Sequence, residues 1–273
     1  MAIYAASRRD RELGDMLATF ACAMLLMTAT LYALRGGLVT PGGVRVAGFD
    51  AQGVGFGAMS VLIAGWYFGP LYGLALILTV IIHEYGHVAA FRITGHEDAR
   101  FRLVPLFGGY AISDRAPSTE GEEFFVSIAG PALSLAPMVL AFVLCEIVDP
   151  WSRPVANFLW IFAATTAALN FLNLLPFWPL DGGRCLRAVV HAFEPRAALW
   201  ASLGMSAAFA AAAVAVGSGL LLLVALLGVA TVRPTARGLP GMTKGEAALA
   251  LGAYVFTAAA HFAGGALILS VYL

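Results

Sequence analysis

The chain has 273 residues, 60% hydrophobic and 12% charged, with sixteen basic and sixteen acidic side chains and a mean hydropathy of +0.85. A soluble domain carries about 25% charged residues, so this composition belongs in a lipid bilayer. The balanced charge offers no basic surplus for nucleic acid, and three scattered cysteines (Cys22, Cys145, Cys185) suggest neither a disulfide framework nor a cysteine zinc site.

Met1 to Asp15 is mixed in charge, and the apolar run behind it is long enough to span and lacks an A-x-A cleavage signature, so it reads as a membrane helix. A span needs about 20 apolar residues. The predicted spans are 15–34, 54–69, 71–94, 124–147, 156–176, 197–216, 218–232 and 246–270. The runs 54–69 and 218–232 are short and adjoin Gly69-Pro70 and Gly217-Ser218-Gly219, which suits tilted or re-entrant segments, so the expected count is six to eight. Gly42 to Phe49 reads as a short surface strand. Arg100 to Ile112 reads as a strand, a turn at Gly108-Gly109 and a second strand. Pro176 and Pro179 end a helix just before Asp181, because proline removes a backbone donor and clashes with the preceding turn. The longest polar loop, 95–123, has no room for an appended soluble domain. The expected fold class is an all-α polytopic membrane protein with a small β-hairpin element at the cytoplasmic membrane surface.

With eight spans, twelve of the sixteen Lys and Arg fall on one side, which makes that side cytoplasmic. Arg153 and the trio Arg8, Arg9 and Arg11 fall opposite, so the first helix is the weak point of this topology.

His83-Glu84-Tyr85-Gly86-His87 lies inside the third predicted span. Histidines four apart on a helix share one face and can bind one metal, while the intervening glutamate can take a proton from the water that the metal activates. Ionisable groups cost about 2.5–3.5 kcal/mol each at the centre of a membrane helix, which argues for a role rather than for packing. A catalytic zinc site takes three protein ligands. The position six residues after His87 is Ile93, and His96 and Glu97 fall past the expected helix end. Asp181, which opens Asp181-Gly182-Gly183-Arg184, lies on the same predicted side as the end of the His helix. It reads as the third ligand, as a helix N-cap, or as both.

The segments Ile82-His83-Glu84-Tyr85-Gly86-His87, Phe107-Gly108-Gly109-Tyr110, Ala129-Gly130-Pro131 and Asn173-Leu174-Leu175-Pro176-Phe177-Trp178-Pro179-Leu180-Asp181-Gly182-Gly183-Arg184 together resemble the site-2 protease family of intramembrane zinc metalloproteases. The resemblance covers roughly residues 44–190, and the PDZ and CBS domains of some members have no counterpart in it. It implies one zinc per chain held by His83, His87 and Asp181, with Glu84 as general base. It further implies hydrolysis of peptide bonds in or near transmembrane segments of membrane-tethered regulatory proteins, with single-pass proteins in the bilayer as partners. Asn173 would help to orient the substrate, and Gly108 and Gly109 belong to a hairpin whose free edge would hold an unwound substrate strand. The expected division is an additional membrane helix in 1–40, a catalytic membrane core in 41–196 and further membrane helices in 197–273. The expected location is a bacterial or archaeal plasma membrane, with the site towards the cytoplasm.

Other readings compete. A prenyl-protein-type membrane zinc protease would use a glutamate as third ligand, for which Glu120, Glu122, Glu123 and Glu194 are the donors available. A non-catalytic metal-binding protein or pseudoprotease is the alternative from another class. Ser127, Gly130, Ala132 and Ser134 read as small residues that let helices approach. Asn170 reads as interhelical glue, and Glu146, His191 and His261 as residues at helix ends or in packing contacts.

Overall fold

Proline and glycine divide this apolar chain into helices. The computed structural model describes residues 2–38, 51–104, 108–231 and 239–272. They form α1 (Ala2–Leu38), α2 (Ala51–Phe68), α3 (Pro70–Ile93), β1 (Arg100–Val104), β2 (Gly108–Ile112), α4 (Glu120–Val148), α5 (Arg153–Asn173), α6 (Asp181–Phe193), α7 (Pro195–Val216), α8 (Gly219–Thr231) and α9 (Lys244–Tyr272). Six helices are long and apolar enough to cross a membrane, and stretches of α2 and α8 are shorter apolar helices, within the six to eight expected. The protein is a multi-pass membrane protein of the expected fold class.

Local chemistry sets the boundaries. Pro70 and Pro195 each lie in the first turn of a helix, where a missing N–H costs nothing. Thr119 caps α4 by accepting from the Glu122 N–H, and Gly217 ends α7 in the left-handed region at φ 71°.

One expectation needs correction, and two are carried further. Gly108 and Gly109 do not form the turn. They open β2, paired antiparallel with Val104 and Leu103. Glycine pairs favour turns, but here the strand register continues through them. The first helix is not confined to 15–34, since the mixed-charge start continues it without a break. Residues 181–193 form a short helix that apolar-run counting passes over. Its apolar residues repeat at the helical period among Arg184, Arg187 and His191, so it has an apolar face but no apolar run. The strand expected at Gly42 to Phe49 lies outside the described residues.

α3 is the central helix, with 67% of its spanning window buried against 11% for α1. It packs against α1, α2, α4, α5 and the hairpin. The α3–α4 contact is closest at Gly86 and Gly130. A methyl group on Gly86 would collide with the Ala129 carbonyl, and one on Gly130 would stand 2.5 Å from His87 Nε2. The expected role of Gly130 in helix approach is therefore met at the His helix itself. α9 returns to pack on α4, α5 and α6, where the Tyr254 hydroxyl donates to the Leu174 carbonyl at 2.7 Å.

Candidate metal centre and active site

Three side chains from two elements converge. His83 and His87 project from one face of α3, and Asp181 arrives from the first turn of α6. His83 Nε2 and His87 Nε2 are 3.1 Å apart, and Asp181 Oδ2 lies 3.2 Å and 3.3 Å from them. A tetrahedral zinc with bonds of about 2.0–2.1 Å holds its ligand atoms about 3.3 Å apart, so the spacing fits. Among the described residues, no other group of three histidine, cysteine or carboxylate side chains is arranged to hold a metal.

The proton inventory points the same way. His87 Nδ1 lies 2.7 Å from the Val126 carbonyl oxygen, which can only accept, so Nδ1 carries the hydrogen. Nε2 then turns a lone pair towards the Asp181 carboxylate, itself an acceptor. Two acceptors this close, one buried and the other largely so, need a cation or a proton between them. The donor set fits zinc: neutral imidazoles and a carboxylate, with the buried histidines oriented by other hydrogen bonds.

The sequence explains how Asp181 reaches the site. Pro176 and Pro179 break the chain after α5, and the segment 174–178 folds back over the start of α6. A methyl group on Gly182 would strike the Leu174 carbonyl, and one on Gly183 the Phe177 carbonyl. Both positions require glycine for close backbone approach. Leu180 holds the N-cap position and no side-chain cap bond is made, so the Asp181 carboxylate turns to the histidines instead of capping.

Glu84 is buried and lines the same cavity, whose volume is about 660 Å³. Asn173 lines it too, with Nδ2 3.4 Å from His83 Nε2. Tyr110 and Ala111 of β2 form another wall, so the hairpin borders the site, and Gly108 and Gly109 lie on the same strand. Away from the polar end, Tyr72, Leu76 and Val80 run along α3 at helical spacing, facing Thr165, Leu169 and Leu172 of α5. Tyr72 and Leu172 are half-exposed, so this end of the cavity is open to the surroundings.

The other acids and histidines have different partners. Glu120 pairs with Arg187 at 2.9 Å, Glu123 lies 3.9 Å from Arg184, and Glu194 accepts from the Arg196 N–H at 3.2 Å. Glu122 Oε1 lies 2.7 Å from His96 Nε2, and His96 Nδ1 lies 2.6 Å from Ser113 Oγ. None of these glutamates joins His83 and His87. His261 is buried, and its Nε2 donates to the Pro131 carbonyl at 3.0 Å. Asn170 was expected only to join helices, but its Oδ1 lies 2.8 Å from His83 Nδ1. Its spacing three residues before Asn173 was the available signal.

Two models of known families match the chain. That for peptidase family M50 matches residues 144–224, and the peptidase M50B-like model matches residues 56–176. Between them they include the His helix, Asn173 and Asp181. Residues 56–224 are thus similar to the M50 peptidases. A putative zinc metalloprotease of Synechocystis is 34% identical over 125 residues, 46% of this chain and 32% of that protein. Stage IV sporulation protein FB of Bacillus subtilis is 34% identical over 113 residues, 41% of this chain and 38% of that protein. The chain thus spans about a third of the length of these curated relatives. The solved site-2 protease from Methanocaldococcus jannaschii is 22% identical over 67% of this chain and 93% of that one, at a TM-score of 0.44.

Proposed function

We propose that this protein is an intramembrane zinc endopeptidase that cleaves membrane-embedded protein substrates, single-pass regulatory proteins among them. The observation that carries the reading is the approach of His83 Nε2, His87 Nε2 and Asp181 Oδ2 to within 3.1–3.3 Å of one another in a cavity that also holds Glu84. When bound there, zinc supplies Lewis acidity for a hydrolytic water and a peptide carbonyl. Glu84 takes the proton from the attacking water and returns it to the leaving amine. Asn173, an amide beside the trio, donates to the substrate carbonyl and holds its strand in place.

A membrane helix must unwind before its peptide bonds become accessible, because its amides and carbonyls bond each other. The hairpin wall suits that need: a free strand edge can pair with an unwound segment, and Gly108 and Gly109 of β2 would take part in that pairing. The apolar stripes on α3 and α5 suit the part of the substrate that stays in lipid. The Lys and Arg distribution supports an orientation with the site towards the cytoplasm, as for a protein of a bacterial or archaeal plasma membrane.

The test is co-expression with single-pass candidates, comparing wild type with Glu84→Gln. The variant is expected to keep zinc and to accumulate uncleaved substrate. Wild-type cleavage by purified Glu84→Gln would reject the mechanism.

A further inference from the structure

Asn170 is fully buried on α5 and makes two hydrogen bonds that together determine its orientation. Its Nδ2 donates to the Thr166 carbonyl at 2.8 Å, and its Oδ1 lies 2.8 Å from His83 Nδ1. The Thr166 carbonyl can only accept, so the nitrogen end of the amide must face it. The oxygen end then faces His83 and can only accept, so His83 Nδ1 must carry the hydrogen. That leaves the Nε2 lone pair directed at His87 and Asp181. One helical turn earlier on α3, the Thr79 hydroxyl meets the Thr166 hydroxyl at 2.8 Å. The α3–α5 contact therefore has three polar points: Thr79 with Thr166, which lies off the donor trio, Asn170 on His83 Nδ1, and Asn173, whose Nδ2 lies 3.4 Å from His83 Nε2.

We propose that Asn170 is a positioning residue that holds His83 in the Nδ1–H form, with its ring plane set for zinc. The inference rests on the reading that His83, His87 and Asp181 hold zinc. The two histidines are oriented by different means. His87 uses the Val126 carbonyl, a backbone group that side-chain substitution leaves in place, whereas His83 depends on a side chain. Replacing Asn170 by an apolar residue frees the His83 ring to rotate and to change tautomer. Replacing it by aspartate keeps an acceptor for Nδ1, as in the carboxylate–histidine–zinc arrangement.

The experiment measures zinc affinity of the full chain in detergent, by competition with a chelator of known affinity, and the visible spectrum of the cobalt-substituted protein. Asn170→Ala is expected to lower zinc affinity about 10–100-fold and to weaken and shift the cobalt bands. Asn170→Asp is expected to retain most of the affinity. Thr166→Val removes the Thr79–Thr166 contact but keeps the Thr166 carbonyl, and is expected to leave both readouts at the wild-type level. If Asn170→Ala does not elute as folded protein, the near-isosteric Asn170→Leu takes its place against Asn170→Asp. Wild-type zinc affinity and spectrum in the apolar variant would overturn the proposal. So would an Asn170→Asp protein as weak as the apolar variant, or a Thr166→Val protein that loses zinc equally, since helix packing would then be the cause. A wild-type protein that takes up no zinc would overturn both this proposal and the reading beneath it, whereas zinc uptake insensitive to Asn170 would overturn only this one.

Discussion

Gly130→Ala offers a quantitative test of how closely α3 and α4 must approach for the donor trio to form. The new methyl carbon would lie 2.5 Å from His87 Nε2, 2.6 Å from its Cε1 and 2.9 Å from the His83 carbonyl oxygen. It falls about 0.9 Å short of the 3.4 Å at which ordinary contact with Nε2 begins. Either the imidazole retreats by that distance or the helices separate. Both outcomes move Nε2 by several times the roughly 0.2 Å that metal–ligand distances tolerate. Weakening one of three ligands in this way should reduce zinc affinity by about 100-fold, or about 2.7 kcal/mol. The assay is chelator competition on detergent-purified protein, with thermal unfolding of the metal-free form measured in parallel. Gly65→Ala serves as control, because a methyl group there meets nothing within 4 Å. Gly130→Ala protein that binds zinc and cleaves substrate like wild type would refute the argument, since Gly130 could then not be seated against His87.

Further outcomes follow from the same geometry. Asp181→Ala should lose zinc after dialysis against chelator while Glu194→Ala retains it, because Glu194 caps α7 and does not reach the histidines; metal content by elemental analysis decides. Arg187→Ala strands the fully buried Glu120 carboxylate without its 2.9 Å partner and should cost about 3–5 kcal/mol, read from denaturant unfolding in micelles. Asp98 accepts from the Asp114 backbone N–H, which holds its carboxyl below the usual range, with a smaller contribution from the Ser113 hydroxyl. A lowered folded pKa means that this tie is intact above the ordinary carboxylate value and is lost as pH falls through the folded one. Amide exchange at Asp114 should therefore accelerate on acidification through that window, and Asp98→Asn should remove the pH dependence of the step.

What could be read from the sequence depended on whether the signal was local. His83, Glu84 and His87 lie within two helical turns, so helical spacing alone puts them together, and Asp181 could be reached by combining two prolines with a count of spans. Asn170 could not, because its partner is 87 residues away and the contact depends on the rotation of α5 about its own axis. Propensity for an interhelical hydrogen bond is the same whether the partner is a packing residue or a metal-site histidine. α6 was legible only as a helix start at Asp181, and its extent was not: hydropathy counting finds spans, whereas this helix carries Arg184 and Arg187 towards the acidic first turn of α4 and has too few apolar residues in a row to register. Those arginines place its first residue. Glu120 and Glu123 at the start of α4 hold α6 from one side, and the chain folded back over Gly182 and Gly183 holds it from the other. Asp181 is thus fixed against α3 by ion pairs on one side, the closer of them buried, and by glycine-close backbone on the other. The Asp-Gly-Gly-Arg run is then one device: the acid faces the histidines, the glycines admit the neighbouring backbone, and the arginine anchors the helix that carries them.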